Sequence, residues 1–291
     1  MKRVLPAGLC LLAVVLPAPA QSDAQKKATV AYLQKLQSED GGFRPDARTG
    51  KSELPATTAA LRALKYFGGA ARDRETCVAF VKSCFDKEGG GFGIHPDCPS
   101  RYRSTAVGIM AVVDLKMSAE PYAPTVIKYL DENSKAFEEI RLTAASFESL
   151  GKRPPRAEAW LEQIAKMRNA DGTYGKGDGV ARDTGGSVCA VMRLGGKVEH
   201  ADNVLKALNA GQRKDGGFGK PGAEGSDLET TYRVLRAFHM LKAQPEGAER
   251  LRAFIARCRN ADGGYGVAPG QPSNVSGTYF AGIIQHWLNE K

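Results

Sequence analysis

Asp215-Gly216-Gly217-Phe218 and Asp262-Gly263-Gly264-Tyr265 stand 47 residues apart and are two copies of one motif. Toward the N-terminus the pattern recurs as Asp171-Gly172-Thr173-Tyr174, Gly90-Gly91-Phe92 and Asp40-Gly41-Gly42-Phe43. The aromatic residues are separated by 49, 82, 44 and 47 positions. Because 82 is close to two periods, one unit between Phe92 and Tyr174 has lost its motif. Six units of about 44 residues result, a period typical of repeat architectures. Phe43, Phe92, Tyr174, Phe218 and Tyr265 are therefore expected to be structural, packing between adjacent units.

Each unit reads as two helices. Before the motif lies an amphipathic stretch, clearest at Leu251, Phe254, Ile255 and Cys258, whose spacing makes one buried stripe. Cys77, Phe80, Val81 and Cys84 repeat it. The paired glycines suit a helix stop, where a left-handed residue satisfies the last carbonyls without a Cβ penalty. After the motif come segments rich in small residues, at 56–63, 104–111, 184–190 and 276–282. Small side chains let helices approach closely, as an inner ring must, and the charged first helices then form an outer ring. An open superhelix needs polar caps at both ends. Here the last helix carries Tyr279, Phe280, Ile283, Ile284 and Trp287, and the first carries Val30, Leu33 and Leu36. The expected fold is all-α: an (α/α)6 toroid of six hairpins with glycine-aromatic loops, one domain over residues 21–291.

The first twenty residues stand apart. Lys2 and Arg3 precede an apolar run from Val4 to Leu16, and Ala18-Pro19-Ala20 supplies the small residues of a signal-peptidase site. Cleavage is expected between Ala20 and Gln21, giving an exported chain, periplasmic or extracellular. The run is too short to span a bilayer comfortably, and no transmembrane segment is expected in the mature chain. The 291 residues contain 41 Lys+Arg against 32 Asp+Glu, interspersed as in Arg72-Asp73-Arg74-Glu75. Such mixing favours a solvated surface and excludes the clustered basic footprint of nucleic-acid binding.

Five cysteines follow the leader, an odd number for a disulfide framework. Cys258 lies seven residues before Tyr265, where the other units hold Leu36, Met167 and Gly211, and Cys84 sits at a matching place displaced by one. These read as core slots, with the thiol as a small hydrophobe. Cys77 and Cys98 are less determined. Neither C-x-x-C nor H-E-x-x-H occurs. His95 reads as a loop residue, and His200, His239 and His286 lie on helices without a second ligand at useful spacing.

Helix pairs joined by D-G-G-F loops resemble the β subunits of protein prenyltransferases, within the terpenoid cyclase/prenyltransferase α/α-toroid superfamily. The resemblance spans nearly the whole mature chain. It is strongest from Asp215 to the C-terminus, where it resembles the Rab geranylgeranyltransferase β subunit. It implies a catalytic zinc held by an Asp-x-Cys pair opening one inner helix and a His opening the next. Those positions fall on Asp227, Glu229 and Gly277, so two of three ligands are not retained. The diphosphate-binding positions it implies fall on Asp183, Lys220 and Glu224, which would put acids around an anionic head. No cofactor is expected, and zinc only if that site is functionally replaced. The D-x-D-D acid motif of terpene cyclases does not occur.

Three functions remain open. The residues favour a non-catalytic scaffold for a lipid, peptide or protein, because it requires no missing group. A geranylgeranyl-type prenyltransferase is the first alternative. The second is a carbohydrate-active toroid using paired carboxylates from Asp183, Asp227 and Glu229, since glycosidic cleavage needs two carboxyls across the bond. Against the prenyltransferase stand the two missing ligands, the acids at the diphosphate positions and export. Against the carbohydrate-active reading stands the simpler role of the three acids as first-turn charge and helix caps.

Overall fold

A computed structural model describes residues 21–290. The expected leader, residues 1–20, lies outside them. Among the described residues, twelve α-helices alternate between two rings. The outer helices are α1 (Asp23–Lys35), α3 (Arg74–Ser83), α5 (Ala123–Asn133), α7 (Ala157–Ala165), α9 (Ala201–Ala210) and α11 (Ala248–Arg257). The inner helices are α2 (Leu54–Phe67), α4 (Tyr102–Asp114), α6 (Phe137–Ser149), α8 (Val180–Arg193), α10 (Leu228–Met240) and α12 (Val275–Asn289). Each inner helix packs on the next, and α12 packs back on α2. The ring is closed, with small residues at its contacts. Gly282 of α12 lies against Phe67 of α2, and Gly185 of α8 against the α10 backbone.

The motif differs from its expected helix stop. The α1 helix ends at a right-handed cap on Leu36, before the glycines are reached. The motif then folds as a tight hairpin, in which Ser38 N–H donates to Gly42 O at 2.9 Å and Gly41 N–H to Ser38 O at 3.1 Å. Gly41 has φ +85, and Gly172, Gly216 and Gly263 lie between +89 and +92. A glycine in the left-handed region completes this three-residue turn as readily as it ends a helix, so composition alone does not separate the two. In the second unit the hairpin carries two short strands, β1 (Phe85–Asp86) and β2 (Gly91–Phe92), paired antiparallel with Phe85 opposite Phe92.

One threonine per inner helix locks each hairpin. The N–H groups of Phe43, Phe92, Tyr174, Phe218 and Tyr265 donate to Oγ1 of Thr57, Thr105, Thr184, Thr231 and Thr278 at 2.9–3.1 Å. All five aromatic residues are buried. The unit without a motif is the α5–α6 pair. There Thr143 instead bonds Ser134 Oγ at 2.7 Å and Tyr102 Oη at 2.8 Å. The motif aspartates hold the loops: Asp40, Asp215 and Asp262 accept from Ser52, Ser226 and Ser273.

Successive units interlock through the backbone. The first N–H of α2 donates to Ile94 O, two residues beyond the aromatic of the next unit, and Leu228 of α10 does the same to Val267 O. Val275 of α12 donates to Pro45 O at 2.9 Å, repeating the link from the last unit to the first. These bonds satisfy helix-start donors that would otherwise lack partners.

Cys77, Cys84, Cys189 and Cys258 are buried and Cys98 is half-buried, all as free thiols. Burial pushes Cys77, Cys84 and Cys258 up to about 12, which keeps them protonated and inert near neutrality. The slot seven before the aromatic is not uniformly core, because Met167 is 43% exposed while Ile164 takes the buried place. Among the described residues no helix is long and apolar enough to cross a membrane.

Candidate functional site

The N-terminal ends of the inner helices carry the residues singled out from sequence. Asp227 is the N-cap of α10: its carboxylate accepts from Thr230 N at 2.8 Å and from Thr230 Oγ1 at 2.9 Å. Glu229 pairs with Lys220 at 3.4 Å and with Arg233 at 3.7 Å. Asp183 sits in the first turn of α8, 3.6 Å from Arg182. Glu224 is exposed on the loop before α10. The candidates brought together are thus Lys220 and Glu229. Among the described residues no hydrogen bond or ion pair joins Asp183 to Asp227 or Glu229. Gly277, held by the Asn274 cap of α12, faces the loop after Tyr265. A Cβ there would lie 2.6 Å from Tyr265 O and 2.8 Å from Gly266.

A larger polar system runs down the lumen, and sequence reasoning missed it. Glu138 at the start of α6 receives Arg233 of α10 through two bonds, at 2.6 and 3.1 Å. It also receives Arg141 at 2.9 Å. Because α8 lies between α6 and α10 in the ring, this bridge crosses the lumen. Gly186 of α8 leaves room beneath it, with the Arg233 and Arg141 stems 3.5–3.6 Å from a Cβ built there. Burial alone would raise the Glu138 carboxyl, but the Arg233 hydrogen bonds and the Arg141 and Arg233 charges bring it down to about 2. A depressed carboxyl stabilises the fold above its ordinary value of 4.5 and loses that contribution as pH falls through about 2. Glu138→Gln is therefore expected to flatten the acid limb of the stability–pH curve between those values. Denaturation midpoints across the range check this, and an unchanged slope would exclude the bridge as a stabilising contact.

Deeper, Arg62 of α2 pairs with Asp114 of α4 at 2.6 Å, and Arg193 of α8 with Glu148 of α6 at 2.8 Å. Arg236 of α10 has no carboxylate among the described residues. Its guanidinium stacks over Tyr232 at 4.8 Å and Trp287 at 4.9 Å, and its buried Nε has no hydrogen-bond partner. Tyr232 accepts from the Tyr279 hydroxyl at 3.4 Å. Burial alone would raise the Tyr232 phenol, yet Arg236, Arg193, the Tyr279 hydroxyl and Arg62 together turn its shift downward. At the C-terminal end of the lumen, Glu290 lies 3.0 Å from both His239 and His286. The available signal was a set of arginines, Arg62, Arg141, Arg193, Arg233 and Arg236, lying within the small-residue and apolar inner helices.

The profile of the family described as "Prenyltransferase alpha-alpha toroid domain" matches residues 5–139 and 128–289. The drimenyl diphosphate synthase of Streptomyces showdoensis is 32% identical over 149 residues, 46% of this chain and 28% of that protein. The chain thus spans less than a third of this curated relative. Candida albicans protein geranylgeranyltransferase-I complexed with GGPP is similar with TM-score 0.68 at 12% identity, covering 91% of each chain. The type II terpene cyclase MstE from Scytonema is similar with TM-score 0.58 at 12% identity, covering 91% of this chain and 96% of that one. A glycosidase in complex with glucose gives 0.59 at 12% identity, with the same shares. At such identities the structures share the fold, and the fold hosts several chemistries.

Proposed function

The chain belongs to the prenyltransferase α-α toroid domain family, and from that premise we propose an exported binding toroid that has given up zinc-dependent prenyl transfer. The leader at residues 1–20 supports export. Within the family, the run from Asp215 to the C-terminus is the part we align with the Rab geranylgeranyltransferase β subunit. The observation that carries the non-catalytic reading is Gly277. A zinc site needs three protein ligands and an open position. The third ligand position here holds no side chain, and the Tyr265–Gly266 backbone occupies the space one would take. The other two are committed as well: Asp227 caps α10, and Glu229 is paired with Lys220 and Arg233. The residues present do not fit the metal.

Placing Cys at 229 and His at 277 would assemble an Asp-Cys-His set only if the Tyr265–Gly266 backbone could yield. With that backbone in place, Glu229→Cys/Gly277→His is expected to bind zinc no more tightly than Glu229→Cys alone. Zinc affinity of the four proteins of this cycle is the measurement, after melts show each is folded. The function itself is tested by zinc content and by transfer of labelled geranylgeranyl diphosphate to a cysteine peptide. Wild-type chain that holds stoichiometric zinc and transfers the label would overturn the proposal. A glycoside-cleaving toroid would rest on Asp183 and Glu229, and a polysaccharide screen with Asp183→Asn and Glu229→Gln checks it.

A further inference from the structure

We infer that the lumen holds an oxyanion site centred on Arg236, which takes the phosphate or carboxylate group of a ligand. Arg236 of α10 lies over Tyr232, the charges of Arg193 of α8 and Arg62 of α2 also bear on that phenol, and the two nearby carboxylates are already used. Asp114 is bound by Arg62 and Glu148 by Arg193. Arg236 is left with a full charge, half-buried and without a counter-ion among the described residues. Withdrawing a charge from water is costly, and an anion bound beside it offsets that cost.

The rings of Tyr232 and Trp287 fix its plane, so the guanidinium fork is oriented in advance for a bidentate oxyanion. A second donor stands beside it. The Tyr279 hydroxyl donates to Tyr232, which leaves the Tyr232 proton to donate onward. The same electropositive setting lowers the Tyr232 phenol against the pull of burial. Arg236 lies in the C-terminal half of α10. The N-terminal end is crossed by the Arg233–Glu138 bridge, whereas the His239 and His286 side chains at the other end are 40% and 50% exposed.

The inference deepens the binding-toroid reading by naming the class of occupant, and its test is separate from the zinc assay. The purified chain is titrated with inorganic phosphate and, in a second arm, acetate, each replacing chloride at constant ionic strength. Calorimetry and tryptophan emission are the readouts, since Trp287 lies against Arg236. At least one anion should bind saturably, and the arm that responds identifies the ligand's group. Arg236→Gln should weaken binding about tenfold or more, because a charge-assisted bidentate contact is lost. Arg236→Lys, which keeps the charge but not the fork, should fall between and serves if Gln does not fold. Arg48→Gln, whose side chain is 74% exposed beside Asp46, should bind as wild type. No saturable response to either anion would overturn the site. So would Arg236→Gln or Arg236→Lys, whichever folds, binding as tightly as wild type.

Discussion

Phe218→Ala is expected to cost ~3–5 kcal/mol, the usual penalty for emptying a buried aromatic site. For a chain of this size that corresponds to a fall of roughly 10 °C in Tm. Phe218 is 1% exposed and belongs to the continuous core that runs through the ring. Its backbone is held at both groups: its N–H by Thr231 Oγ1 at 3.1 Å, and its carbonyl by Asp227 N–H at 2.9 Å. The surrounding hairpin therefore cannot collapse easily into the space left, which places the cost toward the upper part of the range. Met167→Ala, at a side chain 43% exposed, should move the midpoint little. Thermal melts of the two variants make the comparison. A Phe218→Ala protein that melts like wild type but binds its ligand differently would show the residue to be functional instead of structural.

The ring was legible because five of the six units place the same kind of turn at the same point, and a turn that requires positive φ leaves glycines that can be counted. Closure was legible because both terminal helices carry apolar residues that a solvent-facing cap would lack, Val30, Leu33 and Leu36 at one end and Ile283, Ile284 and Trp287 at the other. What the glycines do was not legible, since φ near +90 serves a hairpin turn as well as a helix end. The unit that lost its motif kept its threonine, Thr143, and pairs it with Ser134 and Tyr102. A search for glycine-aromatic loops cannot see that substitution. The acids near the helix starts were weighed as first-turn charge, and Asp227 is indeed a cap. Glu138 was hidden for the opposite reason. It stands in an acid-rich first turn, yet its partner Arg233 is 95 residues away and one helix removed around the ring. The expectation of an acidic mouth changes accordingly, because Glu229 and Glu138 are both met by arginine or lysine, and one guanidinium deeper in the lumen is left over.

Gly263→Ala is expected to destabilise by about 3 kcal/mol or more, combining a left-handed backbone penalty of ~1–2 kcal/mol with a steric clash. Gly263 has φ +92, and a Cβ there would lie 2.6 Å from Ala28 O in α1. Its carbonyl also accepts from Thr29 Oγ1 at 2.8 Å, a contact between the last unit and the first. The same seat recurs around the ring: Gly41 presses on Thr76 of α3, and Gly216 on Arg250 of α11. Those neighbours follow in sequence, whereas α1 reaches Gly263 only if the toroid closes. Gly68 provides the control, with φ +75 and nothing within 4 Å of a Cβ. Gly68→Ala should cost the backbone penalty alone, ~1–2 kcal/mol. Chemical denaturation of Gly68→Ala, Gly216→Ala and Gly263→Ala then separates two states of the ring. In a closed toroid Gly263→Ala loses as much as Gly216→Ala. If the first and last units stand apart in solution, the added methyl meets no neighbour, and Gly263→Ala loses no more than Gly68→Ala. That second outcome would also remove the enclosed lumen, because α12, which carries Tyr279 and Trp287, would no longer face α2 and Arg62.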